Sequence, residues 1–555
     1  MNAPSLGIIL AALALSLGIG LLARLRGTRS AVDFQLAGRQ FGVLMNACAI
    51  CGDYVSAASF LGVAAAVYAA GFDGAWYAAG FAAGFVPVLL FVATPLRRFG
   101  ERSIPDFLGR RYRSERVRFA AVLIVELIIL VYLIPQAVAG GIAWELLGGA
   151  SIPGISTYAS GIVLTTTATA TLVVIGGMRG TTWNQAVQFA LLMAILLWLT
   201  AVLVTSGFSY ADAIDRIDET ALTTPVETAG GGEELSEVTS RLEDGPAYFG
   251  RPGARYGAVG HFALLFTLVA GTAGLPHVMN RFFTSPSGRA ARQTTVWVLV
   301  FVGLFYTLAV MLGTAARDRI SAEAADNPWL AELTVDGVLR VPEHALLALG
   351  RLYGGETGLS VVTTGAMLAI LSTIGGLLLA ASASWGHDVY ERHINPRASR
   401  TEALRAGQLA VIVMAAISLV ASLPLDPGRV PSSSPSLVAS LVTMAFALAG
   451  STLTPAIILG IWWKRTTATG VVAGMAAGAT LSGAGLLWAL IDSGAPELLQ
   501  TPAVVAGPVA SAVMVGVSLV SRPVDDVEAI WVTMHGSAGD RQAERLARAT
   551  LEAAQ

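Results

Sequence analysis

Charge is scarce in this chain. Acidic and basic side chains make up 13% of its 555 residues and apolar ones 54%, whereas a soluble domain carries roughly 25% charge. Mean hydropathy is +0.66. That balance excludes a water-soluble globular protein and predicts a polytopic membrane protein. The net charge of −2 gives no basic surface for nucleic acid. Lysine is nearly absent, Lys464 alone among 35 basic residues, which says nothing of mechanism. Cysteine is confined to Cys48 and Cys51. Zinc needs about four ligands and nothing completes this pair, so both read as small buried hydrophobes. No nucleophile–base set, metal cluster or phosphate loop appears. GGASIPG and VIGGMRG are glycines at membrane ends, so no enzyme is expected and no cofactor. A signal peptide is also missing. The first apolar run, 6–23, has no basic residue before it and RLRGTRS after it, the reverse of a secretory signal. A retained helix with its N-terminus outside is expected.

Twelve further apolar runs follow, at about 38–68, 72–95, 118–147, 155–176, 183–206, 257–283, 293–315, 358–386, 405–424, 436–461, 469–491 and 502–520. Each is long enough to span a bilayer, which makes about 13 transmembrane helices. Basic residues alternate between connections. The connection 96–117 holds Arg97, Arg98, Arg102, Arg110, Arg111, Arg113 and Arg116; later ones on the same side hold Arg179, then Arg281, Arg289 and Arg292, then Arg392, Arg397, Arg400 and Arg405, then Lys464 and Arg465. This places the C-terminal tail, 521–555, in the cytoplasm, where DRQAERLARATLEA reads as a short solvated helix. The other side has the short turn GFDGAW, a mixed loop 316–357 and the loop 207–256, with ten acids against four arginines. Its tract TAGGGEELSE is too polar to fold alone, so partial disorder is expected.

That acidic loop separates two groups of five spans. Five is odd, so the second group enters the membrane upside down, the arrangement of inverted-repeat transporters. The expected organisation is an extra helix and basic turn (1–30), a first half (31–206), the outer acidic loop (207–256), a second half (257–465), two C-terminal helices (466–520) and the tail. Interrupted helices at matching positions are the best sequence pointer to a mid-membrane site. The first helix of the first half contains CGDYVS, with Gly52 and Asp53 at mid-depth. The first helix of the second half contains GTAGLP, with Gly271, Gly274 and Pro276. A bare carboxylate at that depth costs about 2.5–3.5 kcal/mol. Asp53 is expected to orient the unwound segment by accepting backbone N–H groups. Ser372 and Thr373 precede a tandem Gly375–Gly376. Their hydroxyls either bond back to their own helix or serve a hard cation such as sodium, which wants oxygen ligands.

GDYVSAASFLG (52–62), GTAGLPHVMNRFFT (271–284) and the ST…HDVYERH segment (372–393) resemble the sodium:solute symporter family, most closely its acetate/monocarboxylate permease branch. The resemblance covers about residues 30–470. It implies a LeuT-type 5+5 inverted repeat with flanking helices, alternating access, and substrates such as acetate, propionate or pyruvate. By position it implies a sodium ion held by the carbonyls of Gly52, Val55 and Ala369 and the hydroxyls of Ser372 and Thr373. Where the sugar-transporting branch has an aspartate, TWNQAVQ offers Gln185. Some monocarboxylate members are proton-driven, so protons stay open as the coupling ion.

For the solute's carboxylate, freed amides across Gly271, Gly274 and Leu275 are one option. The hydroxyl of Thr272 and the polar groups of Asp53, Tyr54, Ser56 and Gln136 would complete the pocket, with His277 and Arg281, one turn apart, as its nearest cations. His277 is alternatively a packed neutral residue. Arg281 is expected as a gate or interfacial anchor at the cytoplasmic end. Glu126, isolated among aliphatics, is either a helix-packing hydrogen bond or a proton-coupling group. The sequence therefore predicts a multi-pass symporter of the plasma membrane that imports small monocarboxylates with sodium. A proton-coupled carrier of such solutes is the alternative, and a transporter-like sensor a third. The expected partners are sodium, a small carboxylate and lipid, with no nucleic acid.

Overall fold

The computed structural model describes residues 3–25, 41–100, 102–223, 249–253, 256–426, 436–491, 497–537 and 539–540. The described chain is almost wholly helical. In order it forms α1 (Ala3–Leu25), α2 (Val43–Tyr54), α3 (Ala58–Phe99), α4 (Ile104–Arg111), α5 (Glu115–Leu146), α6 (Thr157–Thr205), α7 (Tyr210–Thr223), α8 (Ala258–Thr272), α9 (Pro276–Phe283) and α10 (Gly288–Glu323). After these come α11 (Pro328–Leu333), α12 (Pro342–Ile394), α13 (Arg400–Ser422), α14 (Leu437–Ser451), α15 (Leu453–Trp462), α16 (Ala468–Ile491), α17 (Ala503–Val520) and α18 (Val527–His535). One hairpin, Thr334–Val335 with Val338–Leu339, turns at Asp336–Gly337 with positive φ at both, the pair a tight hairpin favours.

Serines start the helices. The hydroxyls of Ser103, Ser114, Ser156, Ser287, Ser399 and Ser436 each accept a backbone N–H from the first turn, satisfying donors that a helix start leaves free. Among the described residues, ten helical runs are long and apolar enough to cross a membrane. Runs and crossings are different counts. α6 has 49 residues, ~74 Å at ~1.5 Å per residue, against a hydrocarbon core of ~30 Å. It kinks at Gly177, where φ is +54°, as α3 does at Gly71, where φ is +52°.

The most apolar stretch of α12 is wholly buried, whereas only a third of that of α6, α13 or α17 is. α12 is therefore the core, and the outer helices carry the lipid-facing side chains. Leu123, Leu409, Val420 and Leu487 are more than half exposed, as a lipid belt requires and water disfavours. α6 packs along α12, α1, α2 and α5. α1 joins this core through Asn184, whose Nδ2 donates to the Ser16 carbonyl at 3.0 Å.

The loops depart from expectation. The acidic loop begins as a helix, α7, because Ala213 and Ile217 share one buried face. Arg216 clamps it to Asp318 on α10 with bonds of 2.9 and 2.8 Å. The tract TAGGGEELSE lies outside the described residues. The GFDGAW turn is no plain apolar link. Asp73 is fully buried and accepts from Gly253 N at 3.0 Å and Tyr256 N at 3.2 Å, with His261 Nε2 at 2.8 Å. The mixed loop is built of the end of α10, α11, the hairpin and the start of α12. In the tail, α18 folds back so that Lys464 pairs with Glu528 at 2.9 Å. The expected solvated helix lies almost wholly outside the described residues, as does the basic turn at 26–30.

At the end carrying the arginine-rich connection, α4 is pinned by a buried network. Arg118 donates to Asp106 at 2.6 Å and to Asp388 at 3.1 Å, while Ser103 donates to the other Asp388 oxygen at 2.6 Å. Arg111 donates to the Gly460 carbonyl at 2.7 Å. Arg118 thus joins two buried carboxylates, and His387 Nε2 stands 3.7 Å from the other oxygen of Asp106. Arg118→Ala removes the guanidinium common to both carboxylates and is expected to lower stability by about 3 kcal/mol. Thermal unfolding of the purified protein in detergent checks this; an unchanged transition would show that the network carries no such weight.

Candidate functional site

α2 stops at mid-depth. Val55 leaves helical geometry with φ −72° and ψ 83°, and the chain resumes helically at Ala58. The break thus falls after Tyr54, and Gly52 is still helical. Two hydroxyls on α12 meet the end of α2. Ser372 Oγ donates to the Gly52 carbonyl, and Thr373 Oγ1 donates to the Asp53 carbonyl at 2.9 Å. Neither bonds back to its own helix. The approach needs a bare Cα, since a Cβ at Gly52 would stand 2.3 Å from the Gln185 carbonyl and 3.1 Å from Ser372 Oγ. Of the five residues expected around sodium, Gly52, Ser372 and Thr373 are brought into contact. Val55 is buried at the break and Ala369 is buried one turn earlier on α12. The Asp53 carbonyl joins them. Two carbonyls and two hydroxyls form an oxygen set of the type a hard cation takes.

The side chain of Asp53 does something else. It takes no backbone N–H. Its Oδ2 accepts from Arg281 Nε at 3.2 Å. Arg281 also donates to Thr182 Oγ1 at 2.6 Å, to Met178 Sδ at 2.9 Å and to Gln185 Oε1, while Gln185 Nε2 donates to the Ser372 carbonyl at 2.8 Å. Arg281 is therefore no interfacial anchor. It is 1% exposed and Asp53 is 0%. α9 starts at Pro276 in mid-membrane, so a residue little more than a turn along it is still deep. Asp53 Oδ1 has no partner, and it lies 1.7 Å from where a Cβ on Gly376 would stand. Only glycine fits there.

On the other side of the break, Gln136 Oε1 accepts from Ala57 N at 3.0 Å, capping the resumed helix. Its Nε2 has no partner, nor does Ser56 Oγ, nor either nitrogen of His277. Tyr132, one turn before Gln136, sets its ring 5.3 Å from that of His277 and 5.8 Å from that of Phe446. Tyr54 closes the group, its hydroxyl donating to the Phe81 carbonyl at 2.8 Å and lying 3.0 Å from Thr272 Oγ1. The amides after α8 are less free than expected. Gly274 N donates to the Gly271 carbonyl at 2.9 Å, and Leu275 N is 3.4 Å from that of Thr272. Gly271 and Gly274 serve close packing, their Cα atoms facing Phe446 and Ala449. Glu126 stands apart from this group. Its carboxyl lies toward Ser384 and has no partner within hydrogen-bonding distance. Cys48 and Cys51 are free thiols.

Sequence reasoning missed Tyr132, Thr182, Met178, Phe446 and the role of Gly376. Tyr132 had a signal, its one-turn spacing from Gln136, as did Met178 and Thr182 by their spacing from Gln185 on α6 and Gly376 by its spacing from Ser372 and Thr373 on α12. Phe446 had none, because it reaches the site from a separate helix, α14.

The family model for the sodium:solute symporters matches residues 34–478. The chain belongs to the sodium:solute symporter family. A relative named monocarboxylic acid transporter, from Corynebacterium glutamicum, is 33% identical over 472 residues, covering 82% of this chain and 78% of its own. An uncharacterized symporter, YwcA, from Bacillus subtilis is 30% identical over 480 residues, covering 86% and 85%. Among solved structures, a Na+-coupled sialic acid symporter in its substrate-bound outward-open state aligns over 94% of this chain and 99% of its own, with a TM-score of 0.69 at 16% identity. A nucleobase-cation-symport-1 transporter, Mhp1, closed on bromovinylhydantoin, aligns over 91% and 99%, with a TM-score of 0.53 at 12% identity. These likenesses establish the LeuT-type fold. The chain is a multi-pass membrane symporter by family, and its family is one of transporters.

The buried pair makes a direct prediction for this symporter. Arg281→Gln leaves Asp53 buried without a cation and is expected to lower stability by about 3–5 kcal/mol, while adding Asp53→Asn restores most of it. Thermal unfolding of the two single variants and the double variant measures that coupling; strictly additive losses would exclude it.

Proposed function

We propose that this symporter imports small monocarboxylates, of the acetate, propionate and pyruvate class, with sodium by alternating access. One observation carries the reading. The oxygen set at Gly52, Asp53, Ser372 and Thr373 lies on one side of a helix break whose other side presents buried, unpartnered polar atoms on Ser56, Gln136 and His277. The first group suits a hard cation. The second suits a small anion that accepts hydrogen bonds from a hydroxyl, an amide and an imidazole. The name of the Corynebacterium relative supports the same solute class.

In this reading sodium replaces two internal hydrogen bonds. The hydroxyls of Ser372 and Thr373 release their carbonyls, and all four oxygens turn to the ion. Val55 and Ala369 would add their carbonyls. The ion then fixes the end of α2 against α12. The same break ends at Ala57, whose N–H rests on Gln136, so fixing it also fixes the solute pocket. Ion and solute thus raise each other's affinity, typically by 1–3 kcal/mol. Charge favours the pair as well. Arg281 cancels Asp53, so the empty site is neutral. Sodium alone makes it cationic, and a carboxylate restores neutrality. One net charge crossing 100 mV is worth ~2.3 kcal/mol, so a 1:1 load crosses without help or hindrance from the membrane potential. The two five-helix halves, 31–206 and 257–465, would rock about this site. The chain would lie in the plasma membrane with its N-terminus outside and its C-terminus in the cytoplasm.

A second reading keeps the carrier and changes the ion. Glu126 is half-buried, its two carboxyl oxygens closed off without a hydrogen-bond partner, which is what a proton-carrying acid looks like. Labelled acetate uptake in proteoliposomes under separate inward sodium and proton gradients decides between them. Concentrative uptake is expected with sodium alone. Ser372→Ala with Thr373→Ala is expected to raise the half-saturating sodium concentration about tenfold or more, since contacts to a charge are worth about 1.5–3 kcal/mol. An unchanged sodium requirement would refute the ion site. Glu126→Gln is expected to leave sodium-driven uptake intact; its loss in a folded variant would favour proton coupling.

A further inference from the structure

A second cleft lies between α9, the Gly177 kink of α6 and the later half of α12, with Arg102 among its lining residues. We infer that this cleft is a separate inner subsite for the carboxylate, which receives the solute from the central pocket before release. The inference rests on the proposed function. Its polar end is built by Arg102, His277, Asn280 and Arg281, and its wall by aliphatic groups such as Leu379 and Ala383. No acidic side chain lines it. The acids paired with its guanidiniums, Asp53 and Glu391, are not among the lining residues. Donor groups on Arg102, His277 and Asn280 beside aliphatic side chains match a small monocarboxylate, head and tail.

Two of its side chains lack the partners that burial demands. His277 is 2% exposed with neither ring nitrogen bonded, and Asn280 is 6% exposed with its Oδ1 unpartnered. Buried polar groups are normally satisfied, and unsatisfied ones call for a ligand or water. His277 also faces the central pocket, where its ring packs on Tyr132. It is therefore the shared wall. A carboxylate held by His277 in the central pocket passes to the amide Nδ2 of Asn280, the donor of that side chain, and Arg102, whose side chain is 31% exposed, receives it toward water. Asn280 and Arg102 belong to this inner subsite alone.

The test separates the two faces of the carrier. Exchange of labelled acetate is measured in proteoliposomes of fixed orientation, with acetate varied on one side at a time. Asn280→Asp puts a negative charge in the cleft, and Asn280→Ala removes its amide. Both are expected to raise the half-saturating acetate concentration on the cytoplasmic side about tenfold, the weight of one hydrogen bond to a charged group, and to leave the outer value unchanged. Arg102→Gln, at a half-exposed position, gives the same readout if the Asn280 variants fail to fold. Unchanged cytoplasmic values, or equal shifts on both sides, would overturn the inner subsite alone. A wild-type chain that carries no acetate under any gradient would instead remove the proposed function, and this subsite with it.

Discussion

Arg281 reaches from the second broken helix to Asp53 on the first, 3.2 Å away, with both side chains closed off from solvent. A carboxylate alone at that depth would be costly to hold ionised. A guanidinium alone would be equally so. Together they form a neutral unit, and the rest of the site is fitted to it. Gln185 and Thr182 take the remaining guanidinium donors, and Gly376 gives up a side chain so that the carboxylate has room. Buried pairs of this kind give little net stability over an apolar replacement. Their use here is positional. They hold two helix breaks in fixed register and leave the ion site without net charge.

That register is what joins ion to solute. The end of α2 touches Ser372 and Thr373 through its carbonyls, and the chain just beyond it touches Gln136 through the Ala57 amide. Tyr54, Val55 and Ser56 alone separate the two anchorages. A rigid helix would spread any change over several turns. A break of two residues passes it directly from one side to the other, which is why an interrupted helix suits coupled transport better than an intact one.

The periphery has a different job. Arg118, Asp106 and Asp388 fasten α4 to α5 and α12, and Arg111 ties it to the end of α15. On the opposite face Asp73 gathers Gly253, Tyr256 and His261 onto the turn at Gly71. Each network uses a buried charge to fix a connection, where backbone groups would otherwise lack partners. The wholly buried stretch of α12 stands between them.

Much of this was legible in the sequence. Low charge and long apolar runs determined a multi-pass helical protein, since nothing else buries such a chain. Gly52–Asp53 and the Gly271–Pro276 run marked the interrupted helices, because a carboxylate, glycines and proline at mid-depth have no place in an intact span. What the tertiary structure alone decided was which groups meet. Asp53 finds Arg281 across 228 residues, and no spacing rule relates positions so far apart. Distance along a span would put Arg281 at the interface, but a helix that restarts at Pro276 keeps it buried beside Asp53. The loops show the same dependence on distant partners. Read alone, 210–223 is a polar stretch; against α10, Arg216 finds Asp318 and a helix forms. Local pattern fixes which segments are helical and apolar, while partners for buried polar groups come only from the packing of distant segments.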